Sequence, residues 1–209
     1  MTSRWKKHPV WNQWGRLTAY HNALEVACDW YSAVWKLVPI DGIDATTVVR
    51  RREPSVFRKS TGEFKTLLDD RRPLANMLYL ASFALFEGFC SDAFSALVAA
   101  GKTNQLEDHL VGGIEHWAAK LLALTGRDWT KYKYGQSGLL EAGLVRNALA
   151  HGSKTFGADE VERFTQIGIV PPWAAGHAVP SDPIELLKLR HRLNYFLTIV
   201  QQGLDKTVP

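Results

Sequence analysis

The stretch from Pro73 to Ala100 constrains this chain more than any other. Its only charged or amide side chains are Asn76, Glu87 and Asp92. Pro73 suits the first turn of a helix, and Gly101 suits a position just past a helix end. A helix over that interval is about 40 Å long. The interruptions at Asn76, Glu87 and Asp92 mark it as the core helix of a bundle rather than a membrane span, which needs an unbroken apolar run. The rest of the chain must pack around it.

The other segments read mostly as helices. From Thr18 or His21 to about Leu37, apolar residues Ala23, Val26, Ala27, Trp30, Val34 and Leu37 recur at three- and four-residue steps. Pro39 and Gly42 end that pattern. Before it, Trp5, Trp11 and Trp14 are candidate packing anchors. Thr46-Thr47-Val48-Val49 fits a short strand or a helix start. Asn104 can cap a helix from about Leu106 to Leu124, weakened in its middle by Gly112-Gly113. Ser137 can cap another, with Glu141 one turn inside it. Phe164 to Val170, Pro171-Pro172 and His177-Ala178-Val179 suggest a small β-hairpin or irregular insertion around 163–180. Ser181-Asp182-Pro183-Ile184-Glu185 opens a last helix, expected to stop at Gly203. The expectation is a mainly all-α fold, a compact helical bundle. All 209 residues form one domain, with 1–72 as an N-terminal elaboration.

Composition narrows the function classes. Hydrophobic residues make up 46% of the chain, and the eight Trp argue against disorder. The net charge of +4 is compatible with a polyanionic partner. Cys28 and Cys90 lie in apolar helical contexts and read as free thiols. The first residues are charged, with no apolar run behind them, so a cytoplasmic protein is expected. The sequence holds no Walker loop, no Gly-x-Gly-x-x-Gly and no Gly-x-Ser-x-Gly. His109 and His116 are two helical turns apart, His191 sits among basic residues, and no Cys pair has zinc spacing. Neither a metal nor a cofactor is expected. His8, His21 and His177 read as ordinary polar residues.

Polar chemistry concentrates in Leu144-Val145-Arg146-Asn147-Ala148-Leu149-Ala150-His151-Gly152. Residues four apart on a helix share a face, so Asn147 and His151 stack and Arg146 lies beside Asn147. Gly152 suits the left-handed position past a helix end, which puts His151 in the last turn. The dipole of a helix stabilises positive charge there. An imidazole that cycles protons beside a fixed guanidinium suits chemistry on a phosphodiester. The same residues also fit a plain helix end that satisfies its own carbonyls. Glu87 adds a constraint, because a carboxylate in so apolar a run needs a cationic or hydrogen-bonding partner. Arg146 and Asn147 on a neighbouring helix can supply one.

An apolar helix carrying Phe86-Glu87, followed by Arg146-Asn147-x-x-x-His151-Gly152, resembles the HEPN superfamily over roughly residues 73–152. The resemblance implies a HEPN-like bundle. In many members it implies a metal-independent endoribonuclease of toxin–antitoxin, abortive-infection or other defence systems. His151 would then exchange the proton of a ribose 2′-hydroxyl, and Arg146 would stabilise the charged transition state. Asn147 would orient the imidazole or donate to the phosphate, and Glu87 would hold Arg146. Products would carry a 2′,3′-cyclic phosphate and a 5′-hydroxyl. The implied partners are RNA, a second copy completing a composite cleft in a homodimer, and an antitoxin protein; no membrane is implied. Some toxin members carry a modified Tyr two residues after the His, where this chain has Ser153.

Two basic features stand apart from the motif. Arg50-Arg51-Arg52 is either a solvated face or a set of phosphate contacts. Lys131 and Lys133 alternate with tyrosines, an arrangement that fits base stacking or an ordinary amphipathic loop. The alternatives to a nuclease are a HEPN-like bundle that binds RNA or nucleotides without cutting, and an adaptor bundle in which Glu87 and Arg146 are only an ion pair.

Overall fold

The computed structural model describes residues 4–35, 37, 61–103, 110 and 112–208. Thr46 to Val49, Arg50 to Arg52 and Asn104 lie outside these residues. Among the described residues there are seven α-helices and no strand. They are α1 (Pro9–Trp35), α2 (Thr61–Asp69), α3 (Arg72–Ala99), α4 (Ile114–Leu124), α5 (Gly135–His151), α6 (Ala158–Gln166) and α7 (Pro183–Thr207). Short 3-10 turns at Trp5–Lys7 and Trp129–Lys131 precede α1 and α5.

α3 is the spine. Pro73 sits in its first turn, and past its end the Lys102 N–H donates to the Leu97 carbonyl at 2.9 Å. Phe86, Phe89, Cys90, Phe94 and Leu97 are essentially solvent-free. α3 meets the length and mean hydropathy of a membrane span, yet it packs chiefly against α7 and α1, with α5 on a further side. Phe86 touches Trp117 of α4 and Phe196 of α7, each at 5.7 Å between ring centroids. The Tyr79 hydroxyl donates to the Ala142 carbonyl of α5 at 2.6 Å. Burial pushes that hydroxyl well above its ordinary pKa, so it acts as a fixed donor.

α1 begins at Pro9, well before the expected Thr18 or His21. Trp5, Val10 and Trp14 join the same core as α3 and α7, so the aromatic N-terminus is an anchor. The apolar stripe expected to face inward does not. Val26, Trp30 and Leu37 are 68%, 62% and 84% exposed, while His21 and Ser32 are buried. The inward face of this half is polar because it meets charged groups near α2. Ser32 donates to Asp69, and Arg71 pairs with Asp29 at 2.7 Å.

The insertion after α5 is not a hairpin. Phe164, read as part of a strand, lies inside α6. Glu160 reaches back to accept the Gly157 N–H at 2.8 Å, which starts that helix. The only strand-like pairing among the described residues is one antiparallel bridge, Thr155 to Ala178. Trp173 stacks on Phe156 at 3.9 Å and meets Phe164 edge-on, so the excursion carries its own aromatic wedge.

α5 starts at Gly135 rather than at Ser137, and its N-cap Tyr134 gives no side-chain hydrogen bond. α7 opens as expected, with Asp182 accepting the N–H groups of Ile184 and Glu185. It runs through Gly203 instead of stopping there. Gly203 is a packing glycine: a Cβ at that position would lie 2.5 Å from the Thr125 Cβ and 2.6 Å from the Thr125 carbonyl oxygen.

One buried cation ties three helices together. The Arg190 guanidinium of α7 donates to Ser82 Oγ of α3 at 2.7 Å and to Thr18 Oγ1 of α1 at 2.6 Å. It also lies 4.5 Å over the Trp14 ring. No carboxylate faces it among the described residues, and burial lowers its pKa to about 10, so it stays charged at neutral pH. Arg190→Ala is expected to lower unfolding stability by about 2–4 kcal/mol, from lost charged hydrogen bonds and packing. Gly203→Ala is expected to cost about 1–3 kcal/mol through overpacking against Thr125. Urea unfolding checks both, with a shifted midpoint and an unchanged slope.

Candidate functional site

The site forms where α3, α5 and α6 converge on the start of α4. The buried side of α5 carries Leu139, Leu140, Ala142, Leu144, Val145 and Ala148. That packing fixes the rotation of α5 and sends Arg146 and Asn147 toward α3. α4 approaches closely at Gly143, where a Cβ would come within 2.8 Å of Ile114 Cγ2.

Arg146 is held from two helices. Its Nη2 donates to Glu87 Oε2 at 3.3 Å, and its Nη1 donates to Asn147 Oδ1 at 2.9 Å. The guanidinium also sits 5.3 Å over the Phe83 ring. Phe83 and Glu87 are one turn apart on α3, so a single helical face offers both a ring and a carboxylate. The Glu87 and Arg146 side chains are 35% and 36% exposed. Solvent therefore screens the pair, and its role is positional more than stabilising.

α5 ends as its sequence predicts. Gly152 adopts φ +70°, its N–H donates to the Leu149 carbonyl, and the Ser153 N–H donates to the Ala148 carbonyl. This is the six-to-one and five-to-two bonding of a left-handed helix terminus. His151 is the last helical residue and is exposed, and its imidazole has no hydrogen-bond or ion-pair partner among the described residues. It lies one turn beyond Asn147 on the same side of α5, about 6 Å along the axis.

A pocket of about 570 Å³ opens beside Arg146. Its walls include Phe83 and Glu87 of α3, Gly143, Arg146 and Asn147 of α5, and Arg163 and Gln166 of α6. Residues 112–117 at the start of α4 complete it, and His151 is not among the lining residues. A second ion pair stands on the far wall. Arg163 grips Glu115 through Nη2 at 2.6 Å and Nε at 3.2 Å. Glu115 is only 4% exposed, and His116 Nε2 lies 3.8 Å from its Oε1. The pair folds over Gly113, where a Cβ would strike Glu115 Oε1 at 2.1 Å.

The structure thus brings Glu87, Arg146 and Asn147 together and leaves His151 at the edge. Lys131 and Lys133 are elsewhere, before the start of α5 and separated from His151 by its length of about 24 Å. Lys133 lies 4.9 Å and 5.1 Å over the Tyr134 and Tyr195 rings. Sequence reasoning missed Glu115, His116, Arg163 and Gln166. The available signal was Glu115 just after Gly112-Gly113, where an acidic residue suits a helix start. Among the described residues no group of three or more His, Cys, Asp or Glu side chains is placed to hold a metal ion.

The chain matches no family model, no curated protein and no solved structure.

The two ion pairs differ in environment, and stability measurements separate them. Glu87→Gln is expected to change unfolding stability by no more than about 1 kcal/mol, because solvent screens the pair. Arg163→Ala strands the Glu115 carboxylate and is expected to cost about 2–4 kcal/mol. Equal losses in urea unfolding would contradict this division.

Proposed function

We propose that this chain is a metal-independent endoribonuclease of HEPN type. The observation that carries the reading is the three-residue cluster: Glu87 of the core helix holds Arg146, Asn147 braces it, and a pocket opens beside it. Arg146 has five N–H donors, and its hydrogen bonds to the described residues use two nitrogens. Its remaining donors suit the non-bridging oxygens of a phosphodiester. His151, one turn further on, is exposed and suits proton exchange with a ribose 2′-hydroxyl. In the reaction the 2′-oxygen loses its proton and bonds to phosphorus. The bond from phosphorus to the 5′-oxygen breaks, and the 5′-oxygen takes a proton. The same reading carries a cytoplasmic homodimer with two motif helices facing one another, and a toxin or defence role restrained by an antitoxin.

A second reading is an RNA- or nucleotide-binding or adaptor bundle that does not cut. It is favoured by the charge balance of the pocket, where Arg146 faces Glu87 and Arg163 faces Glu115.

The test is cleavage of a labelled total-RNA pool in EDTA by the wild type, Arg146→Ala and His151→Ala. The expected outcome is cleavage by the wild type that leaves 2′,3′-cyclic phosphate and 5′-hydroxyl ends. Each variant should be slowed by about 10²-fold or more. Equal survival of RNA in all three samples overturns the nuclease reading. Wild-type RNA binding without cleavage supports the second one.

A further inference from the structure

We infer that His116 is a second proton-transfer residue of the same site, supplied by the chain that carries Arg146. The inference rests on the ribonuclease reading above. Transphosphorylation moves two protons: one leaves the 2′-oxygen and one reaches the departing 5′-oxygen. A site at neutral pH does this best with two groups that exchange protons in that range, one starting neutral and one starting protonated. The Arg146 to His151 motif contributes one imidazole per chain.

The second imidazole is already in the pocket. His116 lines the same cavity as Arg146, Asn147 and Glu87, whereas His151 stands outside its lining. Its side chain is 69% exposed, and its one ion-pair contact among the described residues is Glu115 at 3.8 Å. It sits in the first turn of α4, which the close approach of Ile114 to Gly143 locks against the motif helix. Its neighbour Glu115 is clamped by Arg163 and buried. The backbone that carries His116 is therefore rigid while the imidazole itself is free to meet a ligand.

The groups facing His116 are named by the same geometry. Glu115 Oε1 lies 3.8 Å from Nε2, with Arg163 already on that carboxylate. Arg146, Glu87, Arg163 and Gln166 line the same pocket. A phosphodiester held by Arg146 would lie in the pocket that His116 also lines, with His151 outside that lining.

The experiment measures RNA cleavage in EDTA across a pH series for the wild type, His116→Ala, His116→Gln and His151→Ala, together with RNA binding by each. The wild type is expected to give a bell-shaped profile. Both His116 variants are expected to lose one limb of the bell and about 10²-fold or more in rate, with RNA affinity little changed. Circular dichroism and urea unfolding should match the wild type, because the side chain is exposed. A His116→Ala enzyme that cuts at the wild-type rate with both limbs intact overturns the role of His116 and leaves the nuclease reading standing. Weakened RNA binding with an unchanged turnover rate also overturns it, since it would make His116 a binding contact. A wild type that does not cut overturns both.

Discussion

Burial of α3 sets everything else. A helix whose Phe86, Phe89, Cys90, Phe94 and Leu97 are all removed from water must be wrapped on several sides. α7 and α1 supply the larger share of that cover, with α5 and α4 on the others. Burying one aromatic or aliphatic side chain contributes about 1.5–3 kcal/mol, so this helix dominates the apolar driving force. The same burial gives Glu87 its importance. A carboxylate on such a helix can sit only where the cover is incomplete or a cation waits, and at α5 both hold: Arg146 meets it, and a third of its surface stays wet. The site is thus a consequence of how the bundle closes around its spine.

Much of this was legible in the sequence because strong local signals agreed with the tertiary packing. Pro73 and Gly101 bound α3, Asp182 and Pro183 start α7, and Gly152 ends α5. A carboxylate in an apolar run and a distant arginine were enough to anticipate the Glu87 to Arg146 contact. The failures share one cause, which is that local pattern was overruled by what the face met. The apolar stripe of α1 points outward because its other face meets Asp69 and Arg71. Gly203 reads as a helix stop, yet it is the place where α7 passes against Thr125. Phe164 reads as a strand residue until Glu160 caps Gly157 and turns the segment helical. Glu115 and Arg163 were invisible because their pairing joins residues far apart in sequence across a helix start.

The two ion pairs of the pocket are not equivalent, and their difference bears on how an anion could enter. Glu115 and Arg163 are joined by two hydrogen bonds, at 2.6 Å and 3.2 Å, and the carboxylate is almost dry. Separating them would leave a buried charge without a partner, a cost of several kcal/mol. Glu87 and Arg146 share one contact at 3.3 Å, with both side chains about a third exposed. Exchanging that contact for another anion costs little, since water already screens it. A phosphate arriving in this pocket would therefore recruit Arg146 and leave Arg163 on Glu115.

This asymmetry would let a pocket with balanced charge take up an anion at Arg146. The firm pair acts as a wall that holds the start of α4, and with it His116, in place. Under the proposed function the loose pair would serve as a placeholder, with Glu87 holding Arg146 beside the pocket until a phosphate takes its place. Asn147 sharpens the aim by occupying a second nitrogen of the same guanidinium at 2.9 Å. The Phe83 ring lies 5.3 Å from the guanidinium carbon and offers it a cation–π contact. A planar cation held in this way keeps further N–H groups for an anion, and a guanidinium edge matches two oxygens of a phosphodiester. A lysine at the same place would bring the charge without the direction, so the case for phosphate recognition rests on the fork of Arg146 and its two braces, more than on the net charge of the chain.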